Sequence, residues 1–191
     1  MNLLIVDLEA TCWDDREQSI ETMEIIEFGC AVYDLDGHAV LGSYSQLVRP
    51  ILNPQLSEFC TELTSITQTM INAAPPYPAA VDNLDEWTKR FDLVAWGSWG
   101  QFDYNQVEAD KKKHGIAPLL FDLPHLNIKK LWQQTTGYGK RRAGLGGALK
   151  ALGYEFEGTH HRGIDDACNI ARILPHIDQA LLMPENGPGL G

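Results

Sequence analysis

The sequence predicts an α/β fold in which helices cover a mixed β-sheet, and two observations lead to this class. Three β-rich runs, at about residues 2–10, 24–34 and 38–48, follow one another and indicate an antiparallel meander. After them, helical patterns alternate with a short apolar strand, which is typical of sheets that also contain parallel strands. With 191 residues, 44% of them hydrophobic, the chain is long enough to bury one sizeable core.

Turn and cap residues set the boundaries of the early elements. The triplet Leu35–Gly37 is a hairpin signal between the second and third strands, and Pro50 ends the third. Ser65 and Gln68 have the spacing of a capping box, so we expect a short helix to begin there. The prolines at 75, 76 and 78 are expected to break the chain before the next helix.

The later part of the chain contains one strand and several helices. A short buried strand is predicted over 93–96, and helices are predicted over 84–91, 103–114, 145–152 and 164–182. Gly115 and Gly153 follow two of these helices and are typical stop residues. We therefore expect one domain spanning residues 1–182, followed by a flexible Pro- and Gly-rich tail at 183–191.

Composition excludes several classes of protein. No apolar run reaches the roughly 18 residues of a membrane span, and no basic leader precedes the first strand, so we expect a cytoplasmic protein without membrane contact. The cysteines contain no C-x-x-C pair, which argues against a zinc site and a disulfide framework. Each is expected to be a small buried hydrophobe, and they are Cys12, Cys30, Cys60 and Cys168.

The formal net charge of −11 is unusual for a protein that binds nucleic acid, because affinity for phosphates normally comes from lysine and arginine. Between Leu123 and Tyr154, however, the chain has no acidic residue. Its lysines and arginines there are Lys129, Lys130, Lys140, Arg141, Arg142 and Lys150. This basic segment is either a nucleic-acid contact or an ordinary solvated loop.

The end of the first strand carries two acidic residues that point to metal chemistry. Asp7 and Glu9 are two positions apart, so they share one face of a largely apolar strand. Burying two carboxylates is costly unless a cation compensates, and no lysine or arginine precedes Arg16. Oxygen ligands favour Mg²⁺ or Mn²⁺. The alternative is that this face of the strand is simply solvated.

The final helix supplies a third acidic candidate, because helical spacing places Asp166 on an apolar stripe and Asp165 on a polar one. The apolar stripe continues through Ile170, Ile173 and Ile177, and the polar stripe through Asn169, Arg172 and His176. Asp166 should point inward, as a metal ligand or as an anion stabilised by the free N–H groups of the first turn. His161 can face the same cleft as a base, and His160 is the competing histidine.

A fourth acidic candidate, Asp103, opens a central helix after the glycine-rich stretch Trp96–Gly100. Asp103 and Gln106 also have capping-box spacing. A site carboxylate and a simple N-cap are therefore equally consistent with this position.

The order of these residues resembles the DEDDh family of 3′-to-5′ exonucleases, which have a ribonuclease H-like fold, and the resemblance covers nearly the whole chain. Val6–Trp13 looks like the first exonuclease motif, Ser98–Asp103 resembles the second, and His161–Asp166 the third. Phe59–Gln68 resembles the branch that contains the eukaryotic histone-mRNA 3′ exonuclease, the prion-interacting exonuclease and bacterial relatives, although Ser65 replaces the glycine usual there.

The resemblance implies a phosphodiesterase that uses two Mg²⁺ or Mn²⁺ ions. Asp7 would bridge both ions, Glu9 and Asp166 would complete the shell of the first, and Asp103 would support the second. His161 would take a proton from the attacking water, so activity should fall below about pH 6.5, where imidazole is protonated. We expect Asp7→Ala to abolish turnover and Asp165→Ala to leave it nearly intact.

The same family places the terminal nucleotide beside the end of the first strand and the segment 59–68. Thr11, Leu63 and Phe102 are therefore candidate substrate contacts. For Leu63 and Phe102 the alternative is packing in the core.

Three functions stay open at this point. The preferred one is a 3′-to-5′ exonuclease that releases nucleoside 5′-monophosphates from single-stranded RNA or short RNA overhangs. The same chemistry on DNA is the first alternative, because no residue reads a 2′-hydroxyl unambiguously. The second is a catalytically silent nucleic-acid-binding or partner-docking module, although a binding module gains nothing from four clustered carboxylates and a histidine.

Overall fold

A five-stranded mixed β-sheet lies at the centre of the computed structural model, which describes residues 1–14, 19–137 and 144–184. The first three strands pair antiparallel, whereas the fourth pairs in parallel with the first and the fifth with the fourth. The mixed sheet predicted from the sequence is confirmed. In chain order the strands are β1 Asn2–Ala10, β2 Ile25–Asp34, β3 Ala39–Leu47, β4 Leu93–Ser98 and β5 His125–Asn127, and their spatial order is β3-β2-β1-β4-β5.

Helices flank the sheet on both faces, and none in the described ranges is long and apolar enough to cross a membrane. They are α1 Glu58–Thr64, α2 Gln68–Ala73, α3 Tyr77–Thr88, α4 Phe102–His114, α5 Ile128–Thr136, α6 Leu145–Ala151 and α7 Gly163–Ala171. Short 3₁₀ turns occur at Leu119–Asp122, Leu174–His176 and Gln179–Leu181.

The alternation of side chains along β1 divides the core into two layers. Leu3 and Ile5 pack against α5, α6 and α7. The even-numbered side chains pack on the opposite face, mainly against α3, and these are Leu4, Val6 and Leu8. Because Asp7 and Glu9 continue the odd-numbered series, they emerge on the face that α7 covers.

The structure has two short helices in the region where one short helix was predicted to begin at Ser65. The hydroxyl of Ser57 caps α1 by accepting a hydrogen bond from the Cys60 N–H at 2.9 Å. Ser65 ends α1 in the left-handed region, with φ of 59°. Thr67 then caps α2 with its own side chain. The predicted capping box of Ser65 and Gln68 is therefore wrong, because it joined the end of one helix to the start of the next.

α3 begins at Tyr77, well before the predicted start at residue 84. Pro78 lies in its first turn, where a missing N–H breaks no intrahelical hydrogen bond. The proline therefore favours a helix start here, and the predicted chain break at this position is wrong.

The last helix is shorter than predicted, because α7 ends at Ala171 and 3₁₀ turns follow it. Pro175 lacks the backbone N–H that a continuing helix needs. The apolar stripe is nevertheless buried, with Ile177 only 3% exposed. Asn169 is 0% exposed, so its assignment to an outward polar stripe is wrong; its amide donates to the Glu157 carbonyl at 2.8 Å.

Some residues of the predicted tail and of the basic segment lie outside the described ranges. They are residues 185–191 of the tail, and Lys140, Arg141 and Arg142 of the basic segment. Lys129 and Lys130 lie on α5, which had not been predicted, and Lys150 lies on α6. These three lysines therefore lie on helices rather than in a loop, and Lys130 and Lys150 are exposed to solvent.

Candidate active site

Asp7 and Glu9 lie near the C-terminal end of β1, the central strand of the sheet, where α7 approaches very closely. A Cβ atom on Gly29 of β2 would lie 1.9 Å from the Gly163 carbonyl carbon, and one on Gly163 would lie 2.6 Å from the Asp7 carbonyl oxygen. Only glycine at both positions allows this contact. The first turn of α7 consequently lies directly on β1 and β2, and it brings Asp166 to the two carboxylates.

Three carboxylates meet at this point. Side-chain oxygens of Asp7, Glu9 and Asp166 all lie within 4.8 Å of one another. Glu9 is 8% exposed, so the alternative of a simply solvated strand face is wrong. In the described ranges no lysine or arginine forms an ion pair with any of the three. Oxygen donors in this arrangement fit a divalent cation.

Asp103 reaches the same pocket from the first turn of α4 and is 4% exposed. Its Oδ1 accepts a hydrogen bond from the Leu8 backbone N–H at 2.9 Å. The N-cap of α4 is Gln101, and the Gln106 amide donates to Asp110 at 2.6 Å. The N-cap alternative for Asp103 is therefore wrong, and its carboxylate lies beside the three-oxygen cluster.

Burial favours the protonated forms of these acids. Desolvation, assisted by the nearby charge of Asp166, raises the pKa of Glu9 to about 9. Desolvation raises the pKa of Asp103 to about 6 against the lowering effect of its N–H donors. The pKa values of Asp7 and Asp166 are also raised, in each case chiefly by desolvation. A bound divalent cation would favour the ionised forms, so this donor set fits such an ion.

His161 lies at the pocket with its backbone in the left-handed region, at φ of 60°. Its N–H donates to Asp166 Oδ2 at 2.7 Å, which fixes the turn before α7. The side chain of His161 is exposed and lines the pocket beside the carboxylates. The competing His160 stacks instead on Phe156, with ring centroids 3.7 Å apart, and is not part of the pocket lining.

Apolar side chains form part of the wall of the pocket, which has a volume of about 370 Å³. Phe102 is 45% exposed and Leu63 is half-buried, and both line the pocket, so the core-packing alternative is wrong for each. Thr11 differs, because it is 1% exposed and its hydroxyl accepts the Glu24 N–H at 3.0 Å. The predicted substrate contact by its side chain is therefore wrong. Further lining residues, which had not been predicted, include Met23, Trp99 and Leu145.

An ion pair between a buried glutamate and a partly exposed arginine had also not been predicted. Arg162 donates from Nε and Nη2 to the two carboxylate oxygens of Glu27, each at 3.2 Å. Glu27 is 0% exposed and also accepts from the Gly163 N–H at 3.1 Å and from the Ser45 hydroxyl at 2.6 Å. This network ties the turn that carries His161 to β2. The available signal was an acidic residue inside the otherwise apolar first part of β2.

A second unpredicted contact supports Asp103. Its carboxylate is hydrogen-bonded by Ser98, whose Oγ lies 3.0 Å from His125 Nε2. Desolvation lowers the pKa of His125 to about 4, so the ring is neutral at physiological pH. In the tautomer with hydrogen on Nε2, His125 donates to Ser98 and Ser98 donates to Asp103.

Comparison with known proteins assigns the chain to a family. The family model described as RNase_T, Exonuclease, matches residues 4–174. The chain belongs to this exonuclease family. The 3'-5' exonuclease eri1 of Schizosaccharomyces pombe is 30% identical over 199 residues, covering 90% of this chain and 66% of the relative.

Two further relatives are similar at the same level. The 3'-5' exoribonuclease 1 of Homo sapiens is 30% identical over 185 residues, covering 93% of this chain and 52% of the relative. ERI1 exoribonuclease 2 of Danio rerio is 32% identical over 198 residues, covering 92% and 34%. The chain thus spans 34% to 66% of the length of these three curated relatives.

Solved structures confirm the predicted DEDDh-type, ribonuclease H-like fold. The nuclease domain of 3'hExo, a DEDDh family member bound to rAMP, matches with a TM-score of 0.83 and 27% identity over 100% of this chain and 94% of that chain. A 3'-exonuclease in 3'-end specific recognition of histone mRNA stem-loop matches with a TM-score of 0.84 and 27% identity, covering 97% and 82%. Exonuclease X with 5' overhanging duplex DNA, at 14% identity and a TM-score of 0.64, shares the fold.

Proposed function

We propose that this protein is a metal-dependent 3′-to-5′ exoribonuclease that releases nucleoside 5′-monophosphates from single-stranded RNA or short RNA overhangs. The observation that carries the proposal is the convergence of Asp7, Glu9 and Asp166 on one open pocket with His161 beside them. RNA is the proposed substrate because similar proteins are 3'-5' exoribonucleases and one solved relative recognises a histone mRNA stem-loop.

The residues of the pocket have separate tasks in the proposed reaction. Asp7, Glu9 and Asp166 hold divalent cations, proposed to be two Mg²⁺ or Mn²⁺ ions, and Asp103 supports them. When bound, such ions activate water and neutralise charge on the phosphate. His161 accepts the proton of the attacking water on a ring nitrogen, because it lines the pocket beside the carboxylates.

The apolar wall holds the terminal nucleotide. Phe102 is exposed and Trp99 lines the same wall, so each can present a ring face to a base. Base stacking on an aromatic ring contributes roughly 1–3 kcal/mol and tolerates any sequence. Leu63 of α1 adds an apolar contact within the same pocket. Recognition of this kind suits an enzyme that removes nucleotides one after another.

Degradation of matched 5′-labelled single-stranded RNA and DNA with Mg²⁺ or Mn²⁺ tests the proposal. Asp7→Asn is the inactive blank. Asp165→Asn is the matched control, because Asp165 lies outside the pocket lining and asparagine keeps an oxygen for the Thr159 N–H that Asp165 accepts at 2.8 Å. We expect the wild type and the control to shorten RNA from the 3′ end and the blank to leave it intact.

Two other outcomes of this assay would change the assigned substrate or the assigned activity. Faster shortening of DNA than of RNA would move the substrate to DNA while keeping the chemistry. No metal-dependent product on either nucleic acid would favour the silent binding module. The cytoplasmic location expected from the sequence stays a prediction, which fractionation of cells expressing the protein would test.

A further inference from the structure

Two cysteines meet at the rim of the pocket. Cys12 follows β1, is half-buried and lines the pocket, whereas Cys60 lies inside α1 and is 0% exposed. The thiol and the backbone N–H of Cys12 both form hydrogen bonds to the Cys60 sulfur. The Cys60 thiol in turn reaches the Ala10 carbonyl at 3.7 Å. The expectation that each cysteine is an isolated hydrophobe is therefore wrong for this pair.

Ser57 holds the two segments together. Its hydroxyl donates to the Cys12 carbonyl at 2.5 Å and accepts from the Cys60 N–H at 2.9 Å. The approach of the two thiols is thus part of the folded structure, since the backbone on both sides is fixed by the same side chain.

We propose that Cys12 and Cys60 form a site of reversible oxidation, at which peroxide converts the thiol pair to a disulfide and disables the neighbouring pocket. Peroxide reaches Cys12 first, because Cys12 lines the open pocket and Cys60 has no exposed surface. The pair differs in this respect from an ordinary structural disulfide, since both sulfurs remain reduced until an oxidant enters the pocket.

The chemistry is balanced in two steps. The Cys12 sulfur attacks one peroxide oxygen, the O–O bond breaks, and hydroxide takes up the thiol proton and leaves as water, so that Cys12 becomes a sulfenic acid. The Cys60 sulfur then attacks the Cys12 sulfur, the S–S bond forms and the S–O bond breaks. A second water leaves with the Cys60 proton. In sum, two thiols and one hydrogen peroxide give one disulfide and two waters.

The surroundings of the two sulfurs favour the second step. Hydrogen bonds from Cys12, through its thiol and its backbone N–H, lower the pKa of Cys60 to about 7, while the same thiol contact and burial raise the pKa of Cys12. Exposure to the pocket, rather than acidity, therefore makes Cys12 the first target of peroxide. The backbone N–H donor remains for the Cys60 thiolate once the Cys12 thiol has been oxidised. Desolvation raises the pKa values of Cys30 and Cys168. Neither Cys30 nor Cys168 lines the pocket, so these two cysteines are the matched controls within the same chain.

A disulfide would change the geometry of the pocket. Its sulfurs must approach to about 2.05 Å, so the segment after β1 has to move towards α1. Glu9 lies three residues before Cys12, and Leu63 lies on α1, so both pocket walls are affected. A misplacement of about 1 Å in a catalytic site can reduce the rate on the order of 100-fold. This loss of activity rests on the proposed function, whereas formation of the disulfide does not.

Mass spectrometry of the full chain before and after peroxide tests the site directly. We expect the wild type to lose about 2 Da, to yield a cross-linked peptide joining Cys12 to Cys60, and to recover its mass with a thiol reductant. Cys168→Ser should behave like the wild type, whereas Cys60→Ser and Cys60→Ala should form no internal disulfide. Oxidation that stops at sulfur oxides in the wild type, or a disulfide between other cysteines, would overturn the proposal.

The RNA-shortening assay on the same samples separates the two proposals. We expect peroxide to reduce the activity of the wild type and Cys168→Ser by about 10- to 100-fold, reversibly, and that of Cys60→Ser much less. Full activity of the cross-linked wild type would overturn the regulatory part. An inactive reduced protein that still forms the disulfide would refute the proposed function and leave the thiol site standing.

Discussion

The carboxylate of Asp103 accepts a hydrogen bond from the backbone N–H of Leu8 at 2.9 Å, although 95 positions separate the two residues in the chain. Leu8 lies between Asp7 and Glu9, so this bond fixes the first turn of α4 against the acidic end of β1. The side chain of Asp103 therefore combines a structural contact with a charge beside the proposed metal ligands.

Substitutions at Asp103 can separate these two roles. Asp103→Asn keeps an oxygen for the Leu8 N–H and removes the charge, so we expect stability close to wild type and a loss of activity of about 100-fold. Asp103→Ala leaves that N–H unpaired and should cost about 1–3 kcal/mol of unfolding free energy in addition. Urea denaturation and RNA cleavage measure both effects. Equal stability of the asparagine and alanine variants would show that the hydrogen bond has no structural role.

The raised pKa of Glu9 predicts an unusual dependence of stability on pH. Its pKa is about 9 in the folded protein against an ordinary value of 4.5, so the folded state binds the proton more tightly. The contribution of Glu9 to stability is complete below the ordinary value and is lost as the pH rises towards 9. We expect the metal-free protein to lose stability over this range, and Glu9→Gln to reduce the slope.

Divalent cations should reverse this trend. Binding replaces the protons on the carboxylates, so Mn²⁺ should raise the melting temperature more at about pH 8 than at about pH 6. Thermal unfolding in Mn²⁺ and in a chelator, at both pH values, checks this. A melting temperature that does not respond to Mn²⁺ at either pH would contradict a cation site.

Removing Arg162 should destabilise the turn that carries His161. Arg162→Gln leaves Glu27 buried without its cation, and we expect a cost of about 3–5 kcal/mol. The double variant with Glu27→Gln should be more stable than Arg162→Gln alone, because no uncompensated charge remains. Arg162→Lys keeps the positive charge but cannot form the bidentate hydrogen bond to Glu27, so it should recover part of the stability.

The same variants report whether this ion pair positions the metal site. Loss of the anchor should weaken Mn²⁺ binding by about 10- to 100-fold, measured by calorimetry at a temperature where each variant is folded. Unchanged Mn²⁺ affinity in folded Arg162→Gln would limit the pair to a structural role.

His161 and His160 can be distinguished by one substitution each. His161→Asn suits the left-handed backbone at this position and should lower kcat roughly 10²- to 10⁴-fold while leaving the response to Mn²⁺ intact. His160→Phe preserves the stack on Phe156 and serves as the control with nearly full activity. Similar losses in both variants would remove His161 from the role of base.

Local signals predicted the strands better than the short helices. Strand bounds follow from continuous apolar runs, and β1 spans the predicted residues 2–10. Around Ser65, however, serine and threonine can cap a helix at several registers, and only packing of Cys60 and Ile66 into one small cluster selects the observed one. The φ of 59° at Ser65 also explains why glycine is usual there, since a left-handed residue with a side chain costs roughly 1–2 kcal/mol.

The contacts that the sequence did not predict are mainly those between segments far apart in the chain. Glu27 and Arg162 are 135 positions apart, and Ser98 and His125 are 27 apart. Nothing in the local pattern of charge or hydrophobicity couples such residues, because each segment by itself is compatible with many partners. The same applies to the side chain of Thr11. Its hydrogen bond with the Glu24 N–H forms only because the residue after the end of β1 lies beside the residue before the start of β2.

The sequence by itself determined the mixed α/β sheet and the face of β1 that carries Asp7 and Glu9. These features follow from the alternation of side chains along a strand, and the inward direction of Asp166 follows from the periodicity of a helix. The tertiary structure alone decided that Gly29 and Gly163 touch, which brings the carboxylates together, and that Cys12 meets Cys60. Such contacts depend on how whole helices and strands pack together, and local propensities do not encode this packing.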